Sequence, residues 1–277
     1  NKRSFTIGIL APEISEGYGA LLLNAIGEYL IGHGYFYLVA THGRRPELLE
    51  EYPRILMERS VEGFIVIDTA LEKPLPLPAV IISGHNRLPG LTNVVLDHDL
   101  AAKLAMDHLV QLGHRKIAFM KGQVFSSDSA ERWRAIQQAA IRAGIKVSED
   151  LIFQLTKPGF SPEVSYPVVQ KFLKTKKDFT ALFAYNDFSA IGAVRALRDS
   201  GLRVPEDVSV VGFDDVNSAA YQNPSLTTIR QPWEKMAQIA AKTLLDRLKR
   251  KRVLKEILVE PELIVRESTS PCKAGAP

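Results

Sequence analysis

Short apolar runs alternate with helical patterns along almost the whole chain, and this alternation limits the possible folds more than any other feature. The runs are rich in β-branched and aromatic residues. Uniformly apolar strands that alternate with helices indicate parallel sheets covered by helices on both faces. We therefore predict an α/β fold with two such sheets. The runs are 5–10, 36–40, 63–67, 80–83 and 94–97 in the first half, and 116–120, 151–155, 181–184, 208–213 and 226–229 in the second.

Length and composition set the size of the core. With 277 residues, 46% of them hydrophobic and 24% charged, the chain is long enough for one large or two medium domains. No run approaches the roughly 20 apolar residues that cross a bilayer, and the first residues carry no apolar signal region. The single cysteine, Cys272, excludes an internal disulfide and a cysteine metal cluster. We expect a globular protein of the reducing cytoplasm that does not associate with membranes.

The positive charge of the chain is modest. The net charge is +4, and the densest basic run, 249–252, closes a predicted helix, where cations interact favourably with the helix dipole. We interpret this run as a solvated helix end. The core itself is not expected to read DNA.

Sequence motifs of common enzyme classes are missing. No Gly-x-Gly-x-x-Gly fingerprint follows a strand, and the chain has no Gly-Lys-Ser/Thr phosphate loop. The histidines lack the spacing of a zinc site, and no serine lies in a nucleophile elbow. We predict no catalytic residues, no metal site and no cofactor.

Polar residues lie at the carboxyl ends of two of the predicted strands. Asn186 comes after the run 181–184, and Asp214 comes after the run 208–213. Ligands of open α/β sheets lie at the carboxyl ends of strands, where an amide and a carboxylate can hydrogen-bond vicinal hydroxyls or an amine. The alternative is that Asp214 or Asp215 caps the following turn. Asp187 is a candidate N-cap for the next helix.

Several segments occur in an order that identifies a family. They include Asn186-Asp187-Phe188-Ser189-Ala190, Val208-Ser209-Val210-Val211-Gly212-Phe213-Asp214-Asp215 and Pro224-Ser225-Leu226-Thr227-Thr228-Ile229-Arg230-Gln231, together with 5–10, 59–66, 108–118, 201–209 and 265–269. Over nearly all of residues 5–270 the chain resembles the effector-binding and dimerisation core of LacI/GalR bacterial transcriptional regulators.

The resemblance implies a specific architecture. The chain would form two similar lobes of the type I periplasmic binding protein kind, each a parallel doubly wound sheet with helices on both faces. Three crossovers would join the lobes, near Gly113, near 230–231 and near 259–260. The amino-terminal lobe would hold 4–112 and 231–258, the carboxyl-terminal lobe 113–230 and 259–270, and 271–277 would form a tail.

The resemblance also assigns effector contacts. It places Arg132 in the interlobe cleft, where its fork of donors suits an effector and a pairing with Asp214 would preorganise the site. Arg134 is the alternative if the alignment shifts. Tyr18 aligns with an effector-facing aromatic residue and Phe160 with a stacking aromatic residue.

Further effector candidates are weaker. Gln231 lies at a lobe crossing, and Asp97 is a polar candidate at another strand end. The chain departs from the family at Tyr18, where the usual Asn-Pro-aromatic-aromatic loop is replaced, and at Leu100, where some sugar-binding members have a carboxylate. A sugar and a nucleobase both remain open as effectors.

We expect a ligand-responsive repressor core. The resemblance implies a homodimer that couples a small polar effector, which we expect to be a sugar, allosterically to operator DNA through a helix-turn-helix headpiece preceding these residues. One alternative is a solute-binding protein of a sugar transporter, which shares the fold but works as an exported monomer. A third reading is a metabolic enzyme that uses the same cleft.

Overall fold

The computed structural model describes residues 3–14, 17–124, 126–157, 159, 161–175 and 178–273, with the side chain of Ser127 left aside. These residues form two compact α/β units, and the predicted fold class is confirmed. Unit 1 comprises Asn1–Leu96, Ser126–Asp128 and Pro232–Val259. Unit 2 comprises Asp97–Phe125, Ser129–Gln231 and Glu260–Pro277.

Unit 1 contains a sheet in the order β11-β5-β4-β3-β1-β2, and every neighbouring pair in it is parallel. Parallel pairing requires crossover connections, which are helices from β1 to β2 and from β2 to β3 but loops from β3 to β4 and from β4 to β5. Its strands are β1 (Thr6–Ala11), β2 (Phe36–Thr41), β3 (Gly63–Ile67), β4 (Ala79–Ile82), β5 (Leu91–Leu96) and β11 (Glu256–Val259), and its helices are α1 (Tyr18–Gly32), α2 (Pro46–Glu58) and α7 (Trp233–Leu248).

Unit 2 contains a sheet in the order β12-β10-β9-β8-β6-β7, parallel except for the antiparallel pair of β12 with β10. Its strands are β6 (Ile117–Lys121), β7 (Ile152–Gln154), β8 (Ala181–Phe183), β9 (Ser209–Asp214), β10 (Thr227–Arg230) and β12 (Glu262–Ile264), and its helices are α3 (His98–Gln111), α4 (Ser127–Arg142), α5 (Pro162–Leu173) and α6 (Asp187–Asp199).

The central strands of both sheets are buried on both faces. Ile65 and Val66 in unit 1 and Val210 and Val211 in unit 2 have no accessible surface. Full burial of one such side chain stabilises the fold by about 1.5–3 kcal/mol. Continuous burial of adjacent residues explains why these strands are uniformly apolar and do not alternate in polarity.

Helix α3 groups with unit 2. It packs on β10 and β12, so the chain leaves unit 1 between Leu96 and Asp97. The resemblance predicts this crossing near Gly113, after the helix. None of the described helices combines the length and apolar character of a membrane span.

The start of α6 differs from the sequence prediction. Asn186 is the N-cap. Asp187 is the first residue of the helix, and its side chain is fully buried. Asn and Asp are comparably good caps, so residue type alone does not choose between neighbours. The backbone decides, because Asn186 has the extended φ and ψ angles that a cap requires.

Candidate ligand-binding site

Asp214 lies at the carboxyl end of β9 in unit 2. Its backbone has a φ of 112°, a region that residues with a side chain rarely adopt. The residue is 8% exposed, and its Oδ1 accepts a hydrogen bond of 2.6 Å from Nε2 of Gln231. A carboxylate has about four lone-pair sites on its two oxygens, so Asp214 can accept hydrogen bonds from a ligand as well as from Gln231.

Asp215 stabilises the turn after β9 through two ion pairs. Its carboxylate accepts hydrogen bonds from Nε of Arg230 at 2.7 Å and from Nη2 of Arg266 at 2.6 Å. These ion pairs tie the turn after β9 to β10 and to the segment after β12. Asp215 is thus held by two arginines, and Gln231 orients the carboxylate of Asp214.

Arg132, on α4, is held between two aromatic rings. Its guanidinium carbon lies 3.7 Å from the ring centre of Phe213 and 4.7 Å from that of Tyr185. Nη1 donates a hydrogen bond of 2.7 Å to the carbonyl oxygen of Tyr185, and the residue is 5% exposed. Stacking fixes the plane of the guanidinium and therefore the directions of its donors. The pairing of Arg132 with Asp214 stays a prediction.

Arg134 has a different environment. Its side chain is 44% exposed and pairs with Glu131 and Asp99 on the surface of unit 2. The alternative assignment of Arg134 as the effector-facing arginine is not supported by this placement.

Gly122 allows the Tyr185 ring to occupy its position. A Cβ atom at Gly122 would overlap that ring. Tyr185 in turn packs against the guanidinium of Arg132. A glycine after β6 is therefore part of the support for the stacked arginine.

Asn186 and Asp97 both cap helices. Oδ1 of Asn186 accepts a hydrogen bond of 2.9 Å from the amide of Ser189, whose hydroxyl accepts from the amide of Asn186 at 2.9 Å. This capping box commits the amide oxygen, so the group that Asn186 can offer a ligand is its NH₂. Asp97 caps α3 by accepting from the amide of Leu100 at 2.9 Å, which gives it a structural role.

Two predicted residues remain to be placed. Phe160 lies outside the described residues. Tyr18 is the first residue of α1 in unit 1, where its hydroxyl lies 2.5 Å from Oγ of Ser83 and donates to Sδ of Met236 at 3.6 Å.

Unit 1 carries a polar residue that the sequence analysis missed. Asp68 directly follows β3, has a φ of 39°, and accepts hydrogen bonds from Arg44 at 3.3 Å and from Ser126 at 3.2 Å. Burial raises the pKa of its carboxyl group to about 6, the charge of Arg44 opposes this shift, and the charge of Asp128 adds to it. The strand-end rule that selected Asp214 applies equally to Asp68.

His42 is a second missed residue of unit 1. Its Nε2 lies 2.9 Å from the hydroxyl of Thr69, which itself donates to the carbonyl of Ile67 at 2.7 Å. Nε2 must therefore be the donor, while Nδ1 accepts from the amide of Arg44 at 3.1 Å. Burial, followed by the charge of Arg44, lowers the pKa of His42 to about 4.

Near the carboxyl ends of its strands, unit 2 thus offers the acceptor carboxylate of Asp214, the stacked guanidinium of Arg132 and the side-chain amides of Asn186 and Gln231. This combination suits a small polar molecule with several hydroxyl or amino groups.

Comparisons with known proteins identify the family of the chain. Residues 106–269 match the family of periplasmic binding protein-like domains. The repressor PurR of Erwinia tasmaniensis, described as an HTH-type transcriptional repressor, is 32% identical over 275 residues, which are 96% of this chain and 80% of that protein.

Solved structures show the same fold. The transcriptional regulator CelR in complex with cellobiose superimposes with a TM-score of 0.87 at 28% identity, covering 97% of this chain and 85% of CelR. A dimeric Lac repressor superimposes with a TM-score of 0.85 at 25% identity, covering 96% and 99%. These similar proteins are transcriptional regulators, and the chain belongs to the LacI family as the core of a ligand-responsive repressor.

Proposed function

We propose that this core binds a small sugar through unit 2 and that binding changes the affinity of the regulator for operator DNA. The observation that carries the proposal is the Asp214 carboxylate, which is nearly buried and oriented by Gln231. Vicinal hydroxyls donate well to a carboxylate and accept from a guanidinium, and Arg132 supplies such a group with its plane fixed.

The proposal extends to partners and chemistry. The core acts as a homodimer in the cytoplasm, operator binding is supplied by a helix-turn-helix headpiece, and no reaction is catalysed. The similarity to a dimeric Lac repressor and to repressors named PurR supports this reading. The transport-receptor alternative is not favoured, because these relatives are transcriptional regulators.

Calorimetric titration of the chain tests the proposal directly. The panel is D-ribose, cellobiose, guanine and hypoxanthine, since a nucleobase would also satisfy Asp214 and Arg132. We expect at least one sugar to bind. Binding of a nucleobase alone would replace the sugar assignment, and failure of every compound at millimolar concentration would contradict it.

Two substitutions locate the bound ligand. Asp214→Asn keeps the shape of the side chain but removes its charge, and should weaken binding about 10- to 100-fold, as expected for a hydrogen bond to a charged group. Arg132→Lys keeps the charge but loses the planar fork, and should weaken binding about tenfold or more.

Arg134→Lys is the matched control on the same helix, because this exposed arginine pairs only with surface groups in the contacts described above. Its affinity should equal that of the unaltered chain. Equal affinity in Asp214→Asn would refute the site. Coupling to DNA is measured in a chimera with the Lac repressor headpiece, where ligand should change operator affinity about 5- to 150-fold.

A further inference from the structure

Asp187 buries a carboxyl group directly beneath the turn that carries Asp214. It has no accessible surface. Its Oδ2 accepts a hydrogen bond of 2.8 Å from the amide of Val216, and its Oδ1 accepts one of 2.5 Å from the hydroxyl of Thr228. The side chain therefore links the start of α6 to the turn after β9 and to strand β10.

Gly212 provides the space for this carboxyl group. A Cβ atom on Gly212 would overlap Oδ1 of Asp187. The position of the carboxyl group consequently depends on a glycine in the middle of a buried strand, where glycine is otherwise unfavourable.

The anchored turn is strained. Asp214 has a φ of 112° and Asp215 a φ of 57°, so two consecutive residues with side chains lie in the left-handed region. Such a backbone persists only where its surroundings hold it. Asp215 is held by Arg230 and Arg266, and the far end of the turn is held at the Val216 amide by Asp187.

The charges around Asp187 favour its neutral form. Burial raises its pKa well above the usual range, and the negative charges of Asp214 and Asp215 raise it further. Thr228 and the Val216 amide oppose this shift through their hydrogen bonds, while Arg230 and Arg266 bind Asp215. This shift reduces the negative charge that Asp187 places beside Asp214.

We infer that Asp187 is a positioning residue for the proposed effector site, because it anchors the strained turn and so sets the direction of the Asp214 carboxylate. The inference rests on the proposed function of Asp214. It does not require Asp187 to touch the ligand.

The test displaces the carboxyl group without changing its chemistry. Gly212→Ala should move Asp187 away from Val216, and Asp187→Asn should replace it with a group that still accepts from Val216 and donates to Thr228. Gly32→Ala is the control, because a Cβ at this helical glycine meets no atom within 4 Å. Thr228→Val removes one hydrogen bond with little change of shape.

Two nuclear magnetic resonance readouts need no ligand. Hydrogen exchange of the Val216 amide should accelerate about tenfold or more in Gly212→Ala, less in Thr228→Val, and not in Asp187→Asn or Gly32→Ala. The side-chain NH₂ signal of Gln231, which donates to Asp214, should shift in Gly212→Ala and stay in place in Asp187→Asn.

Calorimetry with D-ribose gives the functional readout. Affinity should fall about tenfold or more in Gly212→Ala and be retained in Asp187→Asn, since misalignment of one charge-assisted hydrogen bond costs that much. Unchanged Val216 exchange and an unchanged Gln231 signal in Gly212→Ala would overturn the inference. These signals decide it even if no compound binds the unaltered chain, a result that would count against the proposed function alone.

Discussion

At the scale of single residues, hydrogen bonding fixes the charge state of buried groups. Both ring nitrogens of His42 have defined roles, with Nε2 donating to Thr69 and Nδ1 accepting from the Arg44 amide. Protonation of Nδ1 would place two donors against each other. The neutral ring is therefore required by the fold, in agreement with a pKa lowered to about 4.

This requirement makes stability depend on pH. Unfolded His42 takes up a proton near its ordinary pKa of 6.5, whereas folded His42 does so near 4. The stabilising contribution is therefore complete above pH 6.5 and is lost as pH falls from 6.5 towards 4. His42→Gln, which cannot titrate, should lack this loss.

The measurement is the free energy of unfolding in urea at pH 7.5 and pH 4.5. The decrease between the two values should be about 2 kcal/mol larger in the unaltered chain than in His42→Gln. Asp68 acts in the opposite direction. Its raised pKa gives a stabilising contribution that is complete below pH 3.8 and is lost as pH rises through 6. Both proteins contain Asp68, so its contribution cancels in the comparison. Equal decreases of the free energy of unfolding in the two proteins would contradict the lowered pKa of His42.

The position of a polar residue after a strand can be predicted from sequence. Asp214 is the last residue of β9, and Asn186 is the cap of α6 shortly after β8. The stacking of Arg132 on Phe213 joins residues far apart in sequence, so no local pattern reveals it. Asp187 was assigned to the helix cap because its anchoring partners, Val216 and Thr228, are also distant.

At the scale of elements, the segment after β12 completes unit 2. Ser268 is fully buried, and its hydroxyl accepts from the amide of Thr227 at 2.8 Å and donates to the carbonyl of Val210 at 2.6 Å. One side chain thereby connects β9, β10 and the final segment of the chain.

Ser268→Ala should destabilise the protein by about 1–3 kcal/mol, because it leaves a buried amide without its acceptor. The midpoint of urea unfolding, with an unchanged slope, measures the effect. Ser200→Ala, at an exposed helix end, is the control and should change stability by less than about 0.5 kcal/mol. An equal urea unfolding midpoint in Ser268→Ala and Ser200→Ala would contradict the proposed structural role of Ser268.

The strands predicted from apolar runs are all present, whereas β11 and β12 were missed. Both are edge strands, and their residues are mostly exposed or half-buried. Each begins with a glutamate and holds only a short apolar run. The edge strands β2 and β7 were predicted from longer apolar runs, so the short runs of β11 and β12, and not edge position alone, explain why these two were missed.

At the scale of the whole molecule, unit 2 presents a large aromatic residue to solvent. Tyr221 ends the 3₁₀ turn Asn217–Tyr221 and is 87% exposed. Tyrosine is enriched at the centres of protein interfaces. We expect it to lie in the interface of the proposed homodimer.

Tyr221→Ser should weaken dimerisation about tenfold or more, as truncation of a central interface residue does. Sedimentation equilibrium measures the dissociation constant. Ile141→Ser, at a residue of α4 that is 72% exposed, is the control for loss of surface apolar area. A monomeric unaltered chain at micromolar concentration would refute the dimer. Equal dissociation constants for Tyr221→Ser and the unaltered chain would show that Tyr221 lies outside the interface.

The order of the chain also determines when each sheet becomes complete. Strand β10 lacks its outer neighbour until β12 is added, and unit 1 lacks α7 and β11 until 232–259 are added. During synthesis, β5 and β10 therefore lack a neighbour on one side until residues 256–264 have been made. An open edge is a template for pairing with other chains. Without residues 232–264, the edges of β5 and β10 would be exposed, and pairing of these edges between chains is the expected consequence.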